Sequence, residues 1–460
     1  MLYLICIMTL ALSAYYMWTI CRVRVGPVRW IYFEIIYNCF IKFLIGNLGL
    51  PSALNYVSDL ILIIIVFYYF YYKKSGMKIT IPSSLKWVIG IYFVITLLSY
   101  FVNLYSPLLY IWGFRNNMRF LIFAMMCAVF LKRRDIYTFL DILFGYFILN
   151  IFVVTYQFFF KGYNYNAIGD FISGLYAAGE KRGGNSALNW LLCIICAAAI
   201  IQYFNKEKSI WYLIVAIAGS TYMATLSELK VFFIEIIVIS VVCICVSKKS
   251  LRLTIFLMLS VVALYAGIQV IYILFPNFNR FFTLETILAY ATNESGYIGD
   301  GSINRLTAIR YVFRNFLTSI SERLIGIGFG NSEYSSYSFF TSQFYLRNSW
   351  TAYQWFYGPI ILIETGILGL FSFILIIVNY LYRNVKLKIE NIKDNSLRSI
   401  SLIVGILSLA MLFYNQSMKL ETAGYMVQLF LCFPYILEKK EDFCSCQKSI
   451  VKTKVRFILK

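Results

Sequence analysis

Apolar runs of membrane-spanning length recur along nearly the whole chain. They fall at 2–20, 29–48, 56–72, 86–105, 117–131, 137–160, 187–204, 210–226, 231–247, 253–275, 358–382, 398–414 and 418–437. A helix needs roughly 20 apolar residues to cross the hydrocarbon core. The pattern therefore predicts an all-α polytopic integral membrane protein with about 12–13 transmembrane helices and one large loop at 276–357. The first run has no basic flank before it and no small-residue cleavage site after it, so it reads as a retained span. The run at 29–48 contains Glu34 and Lys42. Charges at bilayer depth are costly, so this run either spans or lies at the interface. The choice changes the span count by one and decides the side of the N-terminus.

The polar positions between the runs sort into two kinds that alternate. One kind is short and basic: Arg22 and Arg24, then Lys73, Lys74 and Lys78, then Lys132, Arg133 and Arg134. Lys206 and Lys208, Lys248, Lys249 and Arg252, and Arg383, Lys386 and Lys388 continue the series. The positive-inside rule makes these connections, and the basic tail at 439–460, cytoplasmic. The other kind is then extracytoplasmic: 105–116, 161–187, a tight corner at 227–230, and the long loop. The expected organisation is a transmembrane bundle at 1–275, a helical extracytoplasmic loop at 276–357, closing spans at 358–438 and a cytoplasmic tail at 439–460.

Composition agrees: 61% hydrophobic, 19% aromatic and 13% charged residues, against about 25% charged in soluble domains. The net charge of +20 resides largely in topology signals and does not point to nucleic acid. Most of the eleven cysteines lie in apolar runs, and there is no histidine. Cys193 and Cys196 form a CxxC with no second pair, which does not make a metal site.

Charge type singles out the long loop. It holds Arg280, Arg305, Arg310, Arg314, Arg323 and Arg347, and no lysine. Guanidinium groups grip phosphate oxygens in a planar fork that an ammonium lacks. The stretch from Ser302 reads SINRLTAIRYVFRNFLTSISERL, with Leu306, Ile309, Val312, Phe313, Phe316, Leu317 and Ile320 at helical spacing. Asp300 or Ser302 is placed to cap it. Arg310 and Arg314 share one face. The helix either lies on the membrane with its arginines at lipid phosphates, or covers a cavity with them aimed at a diphosphate. LIGIGFGNSEYSS follows, and its Gly326, Gly328 and Gly330 suit either an anion-cradling turn or a plain one. The segment 334–357 is aromatic-rich. Its Trp350 and Trp355, with Arg347, suit either sugar stacking or an interfacial belt.

Further candidates come from the other extracytoplasmic connections. Arg115 and Arg119 lie four apart in WGFRNNMRF, and Lys181 and Arg182 are positive on the side where topology disfavours it. Glu228 and Lys230 sit at the 227–230 corner, either as a solvated turn or as a carboxylate and an ammonium in a cavity. Glu364, in IETGILGL, lies within a span and is either a base or a tie between helices.

Taken in order, WGFRNNMRF, DFISG…GGNSALN, TLSELKVFF, NRLTAIRYVF, LIGIGFGNSE and IETGILGLFSF resemble the Wzy-type O-antigen and capsular polysaccharide polymerases over about residues 112–373. The resemblance implies a fold like the metal-independent, GT-C-like membrane glycosyltransferases, in the bacterial plasma membrane. It implies transfer of a growing glycan from undecaprenyl diphosphate onto a lipid-linked repeat unit at the outer face, without cofactor or catalytic metal. Arg115, Arg119, Arg182, Arg305 and Arg310 are the positions that fit the arginines such enzymes rely on, with Lys230 as a further cation. Glu228 and Glu364 are the candidate bases, and Arg347, Trp350 and Trp355 the glycan contacts. The expected partners are lipid-linked oligosaccharide repeats and membrane lipids, with a chain-length regulator and a flippase beside them. The related O-antigen ligases use an exterior histidine, which this chain lacks. A lipid-linked oligosaccharide flippase is the alternative from another class; it would place charges deep within many spans, whereas these lie mainly in exterior loops.

Overall fold

The computed structural model describes residues 1–160, 171–176, 184–246, 302–389 and 391–439, and the single positions Tyr265, Gln269 and Ile273. The described part is helical throughout. Among the described residues, nine α-helices precede the long loop: α1 Leu2–Val23, α2 Pro27–Leu48, α3 Val57–Lys74, α4 Ser83–Asn103, α5 Pro107–Phe130, α6 Arg133–Phe160, α7 Asn185–Phe204, α8 Ile210–Leu226 and α9 Lys230–Val246. The loop holds α10 Ala308–Asn315, α11 Ile320–Ile325 and α12 Gln343–Asn348. After it come α13 Tyr357–Lys386, α14 Ile392–Tyr414, α15 Glu421–Leu431 and α16 Phe433–Leu437.

Among the described residues, eight helices are long and apolar enough to cross a membrane: α1, α2, α3 with the turn before it, α4, α6, α7, α13 and α14. α7 lies at the centre of the bundle, packed against α6, α8, α9, α14 and α15. α13 packs along both α4 and α14. The predicted run at 253–275 and the tail at 440–460 fall outside the described residues, apart from the three single positions.

Several expected boundaries shift, each for a local reason. The connection expected at 105–116 is mostly helix. Pro107, whose fixed φ suits a first turn, starts α5, so Arg115 and Arg119 lie inside a helix rather than at its outer start. The questionable run at 29–48 is one continuous helix. Its Glu34 is fully buried and accepts from Asn38 Nδ2 at 2.8 Å, and Asn38 also reaches Ser58 at 2.9 Å. The run at 418–437 is broken: a 3₁₀ turn at Ser417–Lys419 precedes α15, and Pro434 opens α16. The helix read from Ser302 onward is only α10, which begins after Thr307 without a side-chain capping bond. A second helix begins at Ser319, where Ser319 and Glu322 form a capping box. The backbone amide of Ser319 is the largest influence holding the Glu322 carboxyl below its ordinary range.

Ion pairs gather at the two ends of the bundle. At one end Arg24 Nε meets Asp135 at 2.6 Å, Arg133 meets Asp394 at 2.7 Å and Arg383 meets Glu438 at 3.4 Å. Lys439 Nζ donates there to the last carbonyls of α5, Val129 O at 2.7 Å and Leu131 O at 2.9 Å. A cation at a helix C-terminus satisfies orphan carbonyls and the helix dipole together.

The loop is packed onto the bundle. Ile303, Val312, Leu317, Tyr353 and Phe356 share one buried cluster with Ile360, Leu362 and Ile363 of α13. α13 breaks at Gly366, whose φ of 65° is left-handed. The residues 326–330 fill the break. Ile327 N donates to Ile363 O at 2.8 Å and Gly328 N to Glu364 O at 3.2 Å. A Cβ at Gly366 would collide with the Leu324 carbonyl carbon. Gly366→Ala is therefore expected to cost about 1–3 kcal/mol in backbone strain before the collision is counted. Loss of thermal stability in detergent is the measurement, and an unchanged melting temperature would contradict this account of the break.

Candidate functional site

At the opposite end from Arg24 and Asp135, α2, α3, α5 and α15 bring buried charges together. Arg115 and Arg119 are one turn apart on α5 and face the same way. Arg115 Nη2 lies 2.8 Å from Asp59 Oδ2 and 3.1 Å from Glu421 Oε1. Arg119 Nη1 lies 2.8 Å from Glu421 Oε1 and 3.4 Å from Asp59 Oδ1. Lys42, three-quarters of the way along α2, reaches Glu421 Oε2 at 2.6 Å. Removing such groups from water is costly, and the arrangement is stable only because each charge meets its opposite.

The network extends into the loop. Arg115 Nη1 donates to Asn116 Oδ1 at 3.0 Å, and Asn116 Nδ2 donates to Glu333 Oε2 at 3.3 Å. Glu333 also pairs with Lys419, from the turn before α15. Its neighbour Ser332 donates to Glu364 Oε1 at 2.7 Å. Glu364 is 1% exposed and stands two residues before the Gly366 break. Lys42, Arg115, Arg119 and Lys419 thus face Asp59, Glu421, Glu333 and Glu364 across five helices, the turn before α15 and one loop. Several polar atoms here have no hydrogen-bond partner among the described residues: Glu34 Oε2, Asn55 Oδ1, Asn117 Oδ1 and Arg119 Nε. Buried polar atoms normally find partners, so this end has hydrogen-bonding capacity that the described chain leaves unused.

The candidate residues separate into those the fold gathers and those it does not. Arg115, Arg119 and Glu364 belong to the gathered set. Both arginines, expected at a diphosphate, are paired here with Asp59 and Glu421. Arg305 stands over the Tyr414 ring, 4.2 Å from its centroid, and its Nη1 donates to the Tyr414 hydroxyl. That places it at the end of α14, five residues before Lys419 in the chain. Arg310 and Arg347 are exposed, as are Trp350 and Trp355, at 62% and 49%. Glu228 and Lys230 form the corner between α8 and α9, both half-buried, with Glu228 at a left-handed φ of 52°. Arg182 and Arg280 lie outside the described residues.

The glycine turn is filled by protein. Gly326, Gly328 and Gly330 all have positive φ. A Cβ at Gly326 would collide with the Glu364 backbone, and one at Gly330 with the Leu109 carbonyl oxygen. The Ile327 and Gly328 amides serve the break in α13, while the Gly326 amide closes α11 on Glu322 O. Sequence reasoning passed over Asp59, Glu333, Lys419 and Glu421. The signal for the last two was there: a Lys-Leu-Glu triplet at the start of an apolar run.

No protein-family model matches the sequence, and no curated protein matches it significantly.

Proposed function

We propose that this chain is a membrane glycan polymerase. It transfers a growing glycan from undecaprenyl diphosphate onto a lipid-linked repeat unit at the outer face of a bacterial plasma membrane. The observation that carries the reading is a buried carboxylate, Glu364, held by a loop serine at a helix break beside a network of paired charges. In the proposed reaction an acceptor hydroxyl oxygen bonds to the anomeric carbon of the donor. The bond from that carbon to the diphosphate oxygen breaks, and the electron pair leaves with the diphosphate. The hydroxyl proton passes to Glu364 as general base.

The leaving diphosphate needs cationic stabilisation. Because Asp59 and Glu421 hold Arg115 and Arg119, Arg305 and Arg310 carry most of that role in this scheme, with Arg182 and Lys230 as further cations. Arg305→Lys retains a charge but loses the planar fork. Its expected result is loss of long polymer while single repeats are still made and exported, read from a gel of surface glycan and from the lipid-linked pool. Normal polymer length in Arg305→Lys would overturn the assignment.

A lipid-linked oligosaccharide flippase is the second reading. It is favoured by Glu34, Lys42, Arg119 and Glu364, which lie within helices rather than in loops. The side on which unpolymerised repeats collect in cells lacking the gene separates the two. Accumulation at the cytoplasmic face supports the flippase.

A further inference from the structure

We propose that an aromatic rim around Arg115 and Asp59 is a saccharide-binding platform, the place where a glycan meets the charged network. The identity of that glycan rests on the polymerase reading, whereas the chemistry of the platform does not.

The rim is built from three segments. The Arg115 guanidinium lies 4.8 Å from the Tyr56 ring centroid and 5.0 Å from that of Trp112. Trp112 stacks on Phe340 with centroids 4.8 Å apart and planes 11° from parallel, and its Nε1 donates to Tyr334 O at 3.2 Å. Phe340 belongs to a 3₁₀ turn, Ser338–Phe340. Phe339 of that turn stacks on Tyr337 at 5.7 Å and 28°. Tyr337 is 47% exposed and Phe339 54%.

This rim stands where the network opens outward. The side chains of Arg115 and Asp59 are both 21% exposed, whereas Arg119 and Glu421 below them are 6% and 9% exposed. Asn55, directly before Tyr56, keeps a buried amide oxygen without a hydrogen-bond partner among the described residues. A sugar ring offers an apolar face of C–H groups and an edge of hydroxyls. Aromatic faces match the first, while a carboxylate, a guanidinium and an unused amide oxygen match the second. Lipid is the poorer occupant. Acyl chains against a partly exposed Arg–Asp pair would leave charge facing hydrocarbon, which is expensive. An exposed aromatic such as Trp87 on α4, 71% exposed, suits lipid instead.

The test uses the full-length protein in lipid nanodiscs. The probe is the repeat-unit oligosaccharide obtained by degrading the parent strain's surface polysaccharide, and binding is followed by calorimetric titration. Tyr337 and Phe339 are exposed, so truncating both leaves the core intact. The expected result is saturable binding to the wild type, weakened at least about tenfold in the Tyr337→Ala/Phe339→Ala double variant and unchanged in Trp87→Ala. Equal binding by the double variant and the wild type, or no binding to either, overturns the platform. The polymerase reading is tested separately by the surface glycan of cells lacking the gene. Normal polymer there, with platform binding intact, removes that reading and leaves the platform standing.

Discussion

Glu421→Ala is expected to leave little protein that survives detergent extraction as a single species. Glu421 is 9% exposed and receives Lys42, Arg119 and Arg115 at 2.6, 2.8 and 3.1 Å. Without it, Asp59 alone faces both arginines, and Lys42 loses the carboxylate it pairs with. Leaving a buried charge without its partner costs about 3–5 kcal/mol, a large share of the 5–15 kcal/mol that typically holds a soluble domain together. The measurement is fluorescence-detected gel filtration after heating. Replacing Arg119 by Met and Glu421 by Leu together should recover part of the loss, because a pair removed as a unit leaves fewer uncompensated charges than one partner removed alone. A melting profile for Glu421→Ala matching the wild type would mean that the network does not hold these helices.

Glu364→Gln is expected to behave in the opposite way, keeping the fold and losing the reaction. Glutamine has the same shape and its amide oxygen still accepts from Ser332, so extraction and melting should stay near wild type. It cannot take a proton from an acceptor hydroxyl. General-base catalysis is worth about 10²–10⁴ in rate, and polymer formation from purified lipid-linked repeats should fall by that factor. A Glu364→Gln protein with full polymerising rate would remove Glu364 from the mechanism and leave it a tie between α13 and the loop. Ser332→Ala, which removes one hydrogen bond and no charge, should give a smaller fall.

The spans were legible because a long apolar run in a membrane leaves the backbone no alternative to helix. Arg115 and Arg119 were legible as a pair because helical spacing puts them on one face. Their partners were not. Asp59 lies 56 residues before Arg115, and Glu421 lies 302 residues after Arg119. A single carboxylate at the start of an apolar run reads as a solvated end until the packing of α3 and α15 against α5 is known. The break at Gly366 was hidden for a similar reason. IETGILGL reads as continuous helix, and the donors that take up the carbonyls at the break, the Ile327 and Gly328 amides and the Ser99 hydroxyl, come from distant segments. The early end of α10 was within reach, since Ser319 and Glu322 have the spacing of a capping box. The apolar period, running on through Leu317 and Ile320, outweighed it. The structure resolves that conflict: Leu306 and Ile320, on the supposed buried face, are 75% and 76% exposed.

The seating of 326–330 against α13 bears on how the protein is made. The loop residues that complete the break at Gly366 precede α13 in the chain and so leave the ribosome first. When α13 enters the bilayer, the Ile363 and Glu364 carbonyls released by the break need donors at once, for hydrocarbon offers none. Residues 326–330 supply them. The helix is therefore complete only once that segment is seated against it. A chain in which the seating fails would present a half-satisfied helix to the hydrocarbon.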